Sequence, residues 1–150
     1  MNKNADLCSP QAPAPQAAGL HTLLYIEDNG ADLKLVEKII ARQRDIRLLA
    51  AVQGKSGIET ARILKPDVIM MDINLPDING FKALEVLRSD PVTAHIPVIA
   101  LSANTMPLNI ETGLEAGFFC YLTKPIRIDD FMNAINRALK FVRRTNGQHK

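Results

Sequence analysis

The sequence predicts an α/β domain: a doubly wound, five-stranded parallel sheet with helices on both faces. Two observations lead there. Short apolar runs bounded by turn residues alternate with longer stretches whose apolar residues recur at helical spacing, the pattern of strands joined by crossover helices. The polar residues that follow the runs are also of a particular kind: Glu27 and Asp28, Asp72, Ser102 and Lys124. In a parallel sheet every strand's carboxyl end lies along one edge, where such sheets bind ligands.

At 150 residues the chain is long enough for one domain with a substantial core and short for two. Apolar residues make up 47% and charged residues 23%, and a net charge of +2 gives no basic surface for nucleic acid or membrane. Cys8 and Cys120 lack metal-ligand spacing and suggest no disulfide framework. No apolar run approaches the roughly 18 residues of a membrane span and no apolar signal core opens the chain, so a cytoplasmic location is expected. Residues 1–21, with SPQAPAPQAAG inside them, are rich in proline and alanine without hydrophobic period and are expected to form a flexible segment. The domain is expected to span 22–142, with 143–150 a polar tail.

The first strand is TLLYI, ending in Glu27 and Asp28. Asn29 offers a helix cap, with Asp32 three residues on in a capping-box-like arrangement. Leu33, Leu35, Val36, Ile39 and Ile40 form the apolar stripe of the helix that follows, with Lys34, Lys38 and Arg42 on the other side. A second strand covers 46–52 and its helix about 54–65, with Ser56 and Glu59 at capping-box spacing and Pro66 closing it. Gly54-Lys55-Ser56 matches the end of a phosphate-binding loop, but the glycine required five residues earlier is Leu49, and the nucleotide reading fails.

The central strand, Val68–Met71, runs into Asp72 and then a turn rich in Asn, Pro, Asp and Gly. Phe81, Leu84 and Leu87 mark a third helix that stops near Asp90-Pro91, and IPVIAL, Ile96–Leu101, is the fourth strand. The fourth helix, Thr105–Ala116, is the weakest, since Gly113 lies within it and few large apolar residues define a face. Gly117 stops it, and Phe118–Leu122 is the fifth strand. The last helix starts near Ile128, carries Asp129 and Asp130 at its positive end and buries Phe131, Ile135, Leu139 and Val142. His21, His95 and His149 lack metal-like partners and are expected to face solvent, while Cys120 reads as a small core or edge residue.

An isolated acid after a strand is more often a turn cap than a catalytic group. Three acids, a hydroxyl and an amine from four strands, all at one edge, form a far more specific pattern. Carboxylates so close repel one another unless protonated or compensated by a cation. An all-oxygen set suits a hard divalent ion, most plausibly Mg2+, which keeps open positions for phosphate oxygens. A carboxylate beside it can attack phosphorus and form an aspartyl phosphate. Lys124 then balances phosphoryl charge, and Ser102 donates to the same oxygens.

Glu27-Asp28, Asp72 with Asn74-Leu75-Pro76 and Gly80, Ser102-Ala103, Tyr121 and Lys124-Pro125 together resemble the receiver domain of two-component signalling. The resemblance covers about Leu23 to Val142. It implies a flavodoxin-like fold with strand order 2-1-3-4-5 and Asp72 as phosphoacceptor. It also implies Mg2+ held directly by Asp28 and Asp72, by the Asn74 backbone carbonyl, and by Glu27 through water. Glu27 stands where many relatives have aspartate, and its arm is one methylene longer. Lys124 is expected to contact the phosphoryl group and to precede a cis peptide at Pro125. Ser102 replaces the commoner threonine, and Tyr121 is the expected aromatic switch. Asn74 and Asn104, two residues beyond Asp72 and Ser102, are expected to flank the path of a hydrolytic water without activating it.

The implied partners are a histidine kinase or histidine phosphotransfer domain, and a downstream protein at the face of the fourth helix, fifth strand and last helix. Neither nucleic acid nor membrane contact is implied. An aspartate-nucleophile phosphatase is the competing chemistry, but it needs a second acid two residues after the nucleophile, where this chain has Asn74. The chain therefore reads as a phosphoacceptor that assists its own phosphorylation and dephosphorylation, not as an enzyme. Two contexts remain open: the C-terminal receiver of a hybrid sensor kinase, favoured by the proline-rich lead-in and the wording of IPVIALSAN and GFFCYLTKPI, or a free-standing regulator.

Overall fold

Five strands, β1 (His21–Ile26), β2 (Ile46–Ala51), β3 (Val68–Asp72), β4 (Val98–Ser102) and β5 (Cys120–Thr123), form one sheet in the order β2-β1-β3-β4-β5. Every pairing is parallel. The computed structural model describes residues 20–103 and 107–148, the side chains of 107–110 and 144–148 lying outside that description. Helices α1 (Gly30–Ala41), α2 (Gly54–Leu64), α3 (Gly80–Ser89), α4 (Pro107–Ala116) and α5 (Ile128–Gln148) alternate with the strands. This is the doubly wound, flavodoxin-like architecture expected. Among the described residues no helix is long and apolar enough to cross a membrane.

Strand side chains alternate between faces and so divide the core in two. Leu23, Tyr25, Val68, Met70, Ile99 and Leu101 pack with residues of α1 and α5, among them Val36, Ile39, Phe131 and Ile135. Leu24, Ile26, Ile69, Met71, Val98 and Ala100 pack with Ile58 of α2 and with Leu84 and Leu87 of α3. β3 and β4 are buried along their whole length, which is why they read as unbroken apolar runs. Each enclosed Leu, Ile or Met contributes roughly 1.5–3 kcal/mol.

Several boundaries and caps differ from the sequence reading. Ile96 is buried but its N–H turns back to the Thr93 carbonyl, so β4 begins at Val98. Gly117 adopts φ 116° and lets the Phe118 N–H close α4 on the Gly113 carbonyl, so β5 begins at Cys120 and Phe118 precedes it. α5 continues past residue 142 to Gln148, and Val142 is half-buried rather than buried. His21 opens β1 and its ring lies 3.8 Å from the Asp67 carboxylate, whereas His95 is exposed and His149 lies outside the described residues.

Asn29 caps α1 by accepting from the Asp32 N–H, yet the box stays open, because the Asn29 N–H donates to Glu27 instead. Ser56 and Glu59 form no box either. Gln53 is the cap position of α2, Ser56 donates to the Gln53 carbonyl, and Glu59 pairs with Arg62. The N–H groups of Gly54 and Lys55 are met from across the chain by Asp77, at 2.8 and 2.9 Å.

Candidate functional site

β1 and β3 are neighbours; Glu27 and Asp28 follow the end of β1, and Asp72 ends β3, at the carboxyl edge of the sheet. The Glu27 N–H donates to Ala51, which carries the β1–β2 ladder one residue past the strand and leaves Glu27 fully enclosed. Asp28 lies exposed beside it, and Asp72 is buried as the last residue of β3. The three carboxylates offer oxygens that all lie within 4.8 Å of one another. Such crowding demands compensating charge or protons.

Lys124, immediately after β5, supplies positive charge. Its Nζ lies 3.0 Å from Glu27 Oε1, 3.0 Å from Asp32 Oδ2 and 3.1 Å from Asp72 Oδ2. The Lys124 N–H donates to the Ser102 carbonyl, tying β5 to β4 at this edge, and the Lys124-Pro125 peptide is cis as expected. Asp72 Oδ1 accepts from the Asn74 N–H at 2.9 Å, so the turn after β3 folds back over its own acid.

Charge in the pocket is unevenly shared. Burial, then a hydrogen bond with Asp72, raises Glu27 from its ordinary 4.5 to about 7, against the pull of Lys124 and Tyr25. Burial also pushes Asp72 upward, but hydrogen bonds from Glu27, the Asn74 N–H and Lys124 outweigh it and hold Asp72 below its usual range. Burial works against the Lys124 ammonium, yet Asp32, Glu27 and Asp72 more than offset it and keep the group charged. Three acids share one ammonium and Asp28 lies beside them, so the pocket is oxygen-rich and fits a hard divalent cation such as Mg2+.

The structure thus brings Glu27, Asp28, Asp72 and Lys124 together, with Ser102 buried at the end of β4 one position beyond the partner of Asp72. Tyr121 is elsewhere: it leans toward the other face of the sheet, half-buried, edge-on to Phe118 at 6.5 Å. Asn74 forms an isolated bridge with Asn79, and Asn104 lies outside the described residues, as does Thr105. Cys120 is buried and accepts from Arg137.

Two members of the pocket escaped the sequence reading. Asp32 was assigned only to capping, although the first turn of α1 follows the acid pair directly and so overhangs the same edge. In the sequence Tyr25 reads only as part of the first strand. Its hydroxyl donates to Glu27 Oε1 at 2.8 Å, and burial followed by the Glu27 charge raises the phenol far above its ordinary range, keeping it a donor. The signal was available: Tyr25 and Glu27 are two residues apart on a strand and share a face.

Sheet order and the acid–lysine pocket at its carboxyl edge define a flavodoxin-like α/β domain. Residues 23–136 match the response regulator receiver domain, and the chain belongs to that family. It is 31% identical over 118 residues to the polar-differentiation response regulator DivK of Brucella anthropi, covering 79% of this chain and 95% of DivK. Among solved structures it resembles the receiver domain of sensor histidine kinase PA1611 from Pseudomonas aeruginosa, which holds a magnesium ion in its active-site cleft. There the identity is 27% and the TM-score 0.72, over 81% of this chain and 98% of that one. The receiver domain of Francisella response regulator 1452 is 30% identical with a TM-score of 0.69, over 80% and 97% of the two chains. Receiver domains bind Mg2+ and interact with histidine kinases or phosphotransfer proteins and with downstream partners.

Proposed function

We propose that Asp72 accepts a phosphoryl group from a phosphohistidine in a Mg2+-dependent reaction. The observation that carries this reading is the contact of Lys124 Nζ with Asp72 Oδ2 inside the cluster of Glu27, Asp28 and Asp72. An Asp72 carboxylate oxygen attacks phosphorus, the P–N bond breaks, and the imidazole departs with the electron pair. Asp28, Asp72 and the Asn74 carbonyl would hold the metal, with Glu27 supporting it from beside them. Bound Mg2+ supplies charge for the crowded carboxylates and the transferred oxygens. Lys124 turns from the acids to the phosphoryl group, and the Ser102 hydroxyl donates to it. The Asp72 carboxylate, held below its ordinary range, is ionised for attack at neutral pH.

Asp72→Asn is expected to abolish acyl-phosphate labelling by a small phosphodonor, and Asp28→Ala to reduce it in a way that extra Mg2+ partly restores. Undiminished labelling of Asp72→Asn places the acceptor elsewhere and sinks the reading. We place the chain as the receiver of a hybrid sensor kinase, supported by the proline-rich lead-in and the likeness to the PA1611 receiver. A free-standing regulator is the second reading, favoured by the match to nearly the whole of DivK. The reading frame upstream of Met1 decides between them. In either context the output surface is that of α4, β5 and α5, working through Ser102 and Tyr121.

A further inference from the structure

We propose that Tyr25 is a positioning residue of the pocket: its enclosed phenol fixes the Glu27 carboxylate where it supports Mg2+ binding. The inference rests on the metal and phosphoacceptor roles proposed above. Tyr25 and Glu27 are both fully enclosed, and the hydroxyl donates to Glu27 Oε1 at 2.8 Å. Glutamate has one methylene and one torsion more than aspartate, so its carboxylate can swing unless donors hold it. Oε2 has the Asn29 N–H at 3.2 Å, and Oε1 has Tyr25 and Lys124. Lys124 is divided among three acids and, in the proposed reaction, turns to the phosphoryl group. Tyr25 cannot follow it. Its ring is set in the core between the sheet and the helices α1 and α5, so the phenol is a rigid post that keeps Glu27 in place as Lys124 moves.

A partner that hydrogen-bonds a metal-supporting carboxylate tunes affinity without touching metal. A role confined to folding would leave that affinity alone. Tyr25→Phe keeps the ring and removes one oxygen. Calorimetric titration of the full chain with Mg2+ is expected to show a dissociation constant about tenfold higher. The half-saturating Mg2+ for labelling by a small phosphodonor should shift with it, while the rate at saturating Mg2+ stays within about twofold of wild type. In a Glu27→Asp chain, whose shorter arm falls away from the phenol, Tyr25→Phe should have little further effect. Unchanged affinity in Tyr25→Phe, or an equal loss in both backgrounds, overturns the proposal. A second measurement needs no variant: the enclosed hydroxyl proton of Tyr25 is expected to exchange slowly and to stay protected when Mg2+ is added, and loss of that protection overturns the proposal as well. Failure of the wild-type chain to bind Mg2+ at all sinks the pocket reading itself, and Tyr25's role with it.

Discussion

Glu27 and Asp72 face the same ammonium group, yet the pocket moves them in opposite directions. Glu27 is the more enclosed and keeps its proton to about 7, whereas in an unfolded chain it would release it near 4.5. Between those values the folded protein binds more protons than the unfolded one, so stability falls as pH rises. Asp72 acts in a different window. Its carboxyl is held below 3.8, so it contributes stability that is present above that value and lost only as pH falls further. For the metal-free protein the urea midpoint is therefore expected to drop between pH 5 and pH 7.5. Glu27→Gln should flatten the slope. A midpoint that stays flat through the same interval would mean that Glu27 is ionised throughout and that Lys124 outweighs burial.

At the level of elements, two helices depend on residues outside them. α2 has no side-chain cap of its own, and Asp77, in the turn after β3, accepts from its first two N–H groups. Asp77→Ala is expected to lower stability by about 1 kcal/mol, the size of a lost cap. Hydrogen exchange should quicken at Gly54 and Lys55; protection there that stays intact would show that the cap is dispensable. In α4, a Cβ added at Gly113 would fall on the Tyr121 ring. Helix propensity alone favours Gly113→Ala by up to about 1 kcal/mol. With Tyr121 present the substitution is expected to gain nothing or to destabilise, and in a Tyr121→Ala background it should stabilise. Equal effects in both backgrounds, read from denaturation midpoints, would remove Tyr121 from contact with the helix.

Across the whole molecule, the pocket at the edge and the Tyr121–Gly113 contact lie on opposite sides of one sheet, joined by β4 and β5. Ser102 pairs with Thr123 and Ala100 with Tyr121, so a shift at the end of β4 bears directly on β5. Phosphorylation at Asp72, as proposed, would bring negative charge to that end. Only a partner with different affinity for the two arrangements can read the change. A phosphate mimic with Mg2+ is expected to move backbone amide resonances in both the 72–74 turn and 113–122. In Ser102→Ala the first set should persist and the second should shrink. A response confined to the pocket in the unsubstituted chain would rule out transmission through Ser102 and Tyr121.

The parallel sheet and the meeting of Glu27, Asp28, Asp72, Ser102 and Lys124 at one edge were legible in the residues themselves, and strand order only through the family resemblance they carry. Hydrophobic period marks each element, and a parallel sheet brings all carboxyl ends to the same side. Terminal details were less legible, because they depend on where single N–H groups find partners. The Ile96 N–H turns to Thr93 and the Phe118 N–H to Gly113, and each moves the start of a strand. The same holds for Asp32 and Asp77, which local spacing offers as an ordinary cap and turn residue. Their carboxylates are committed to Lys124 and to the start of α2, groups far along the chain. Residue order thus determined which chemical groups reach the active edge. Which acid keeps a proton, which donor holds Glu27 and which glycine seats Tyr121 were decided by tertiary structure, since burial and long-range hydrogen bonds exist only once the sheet and its helices have closed.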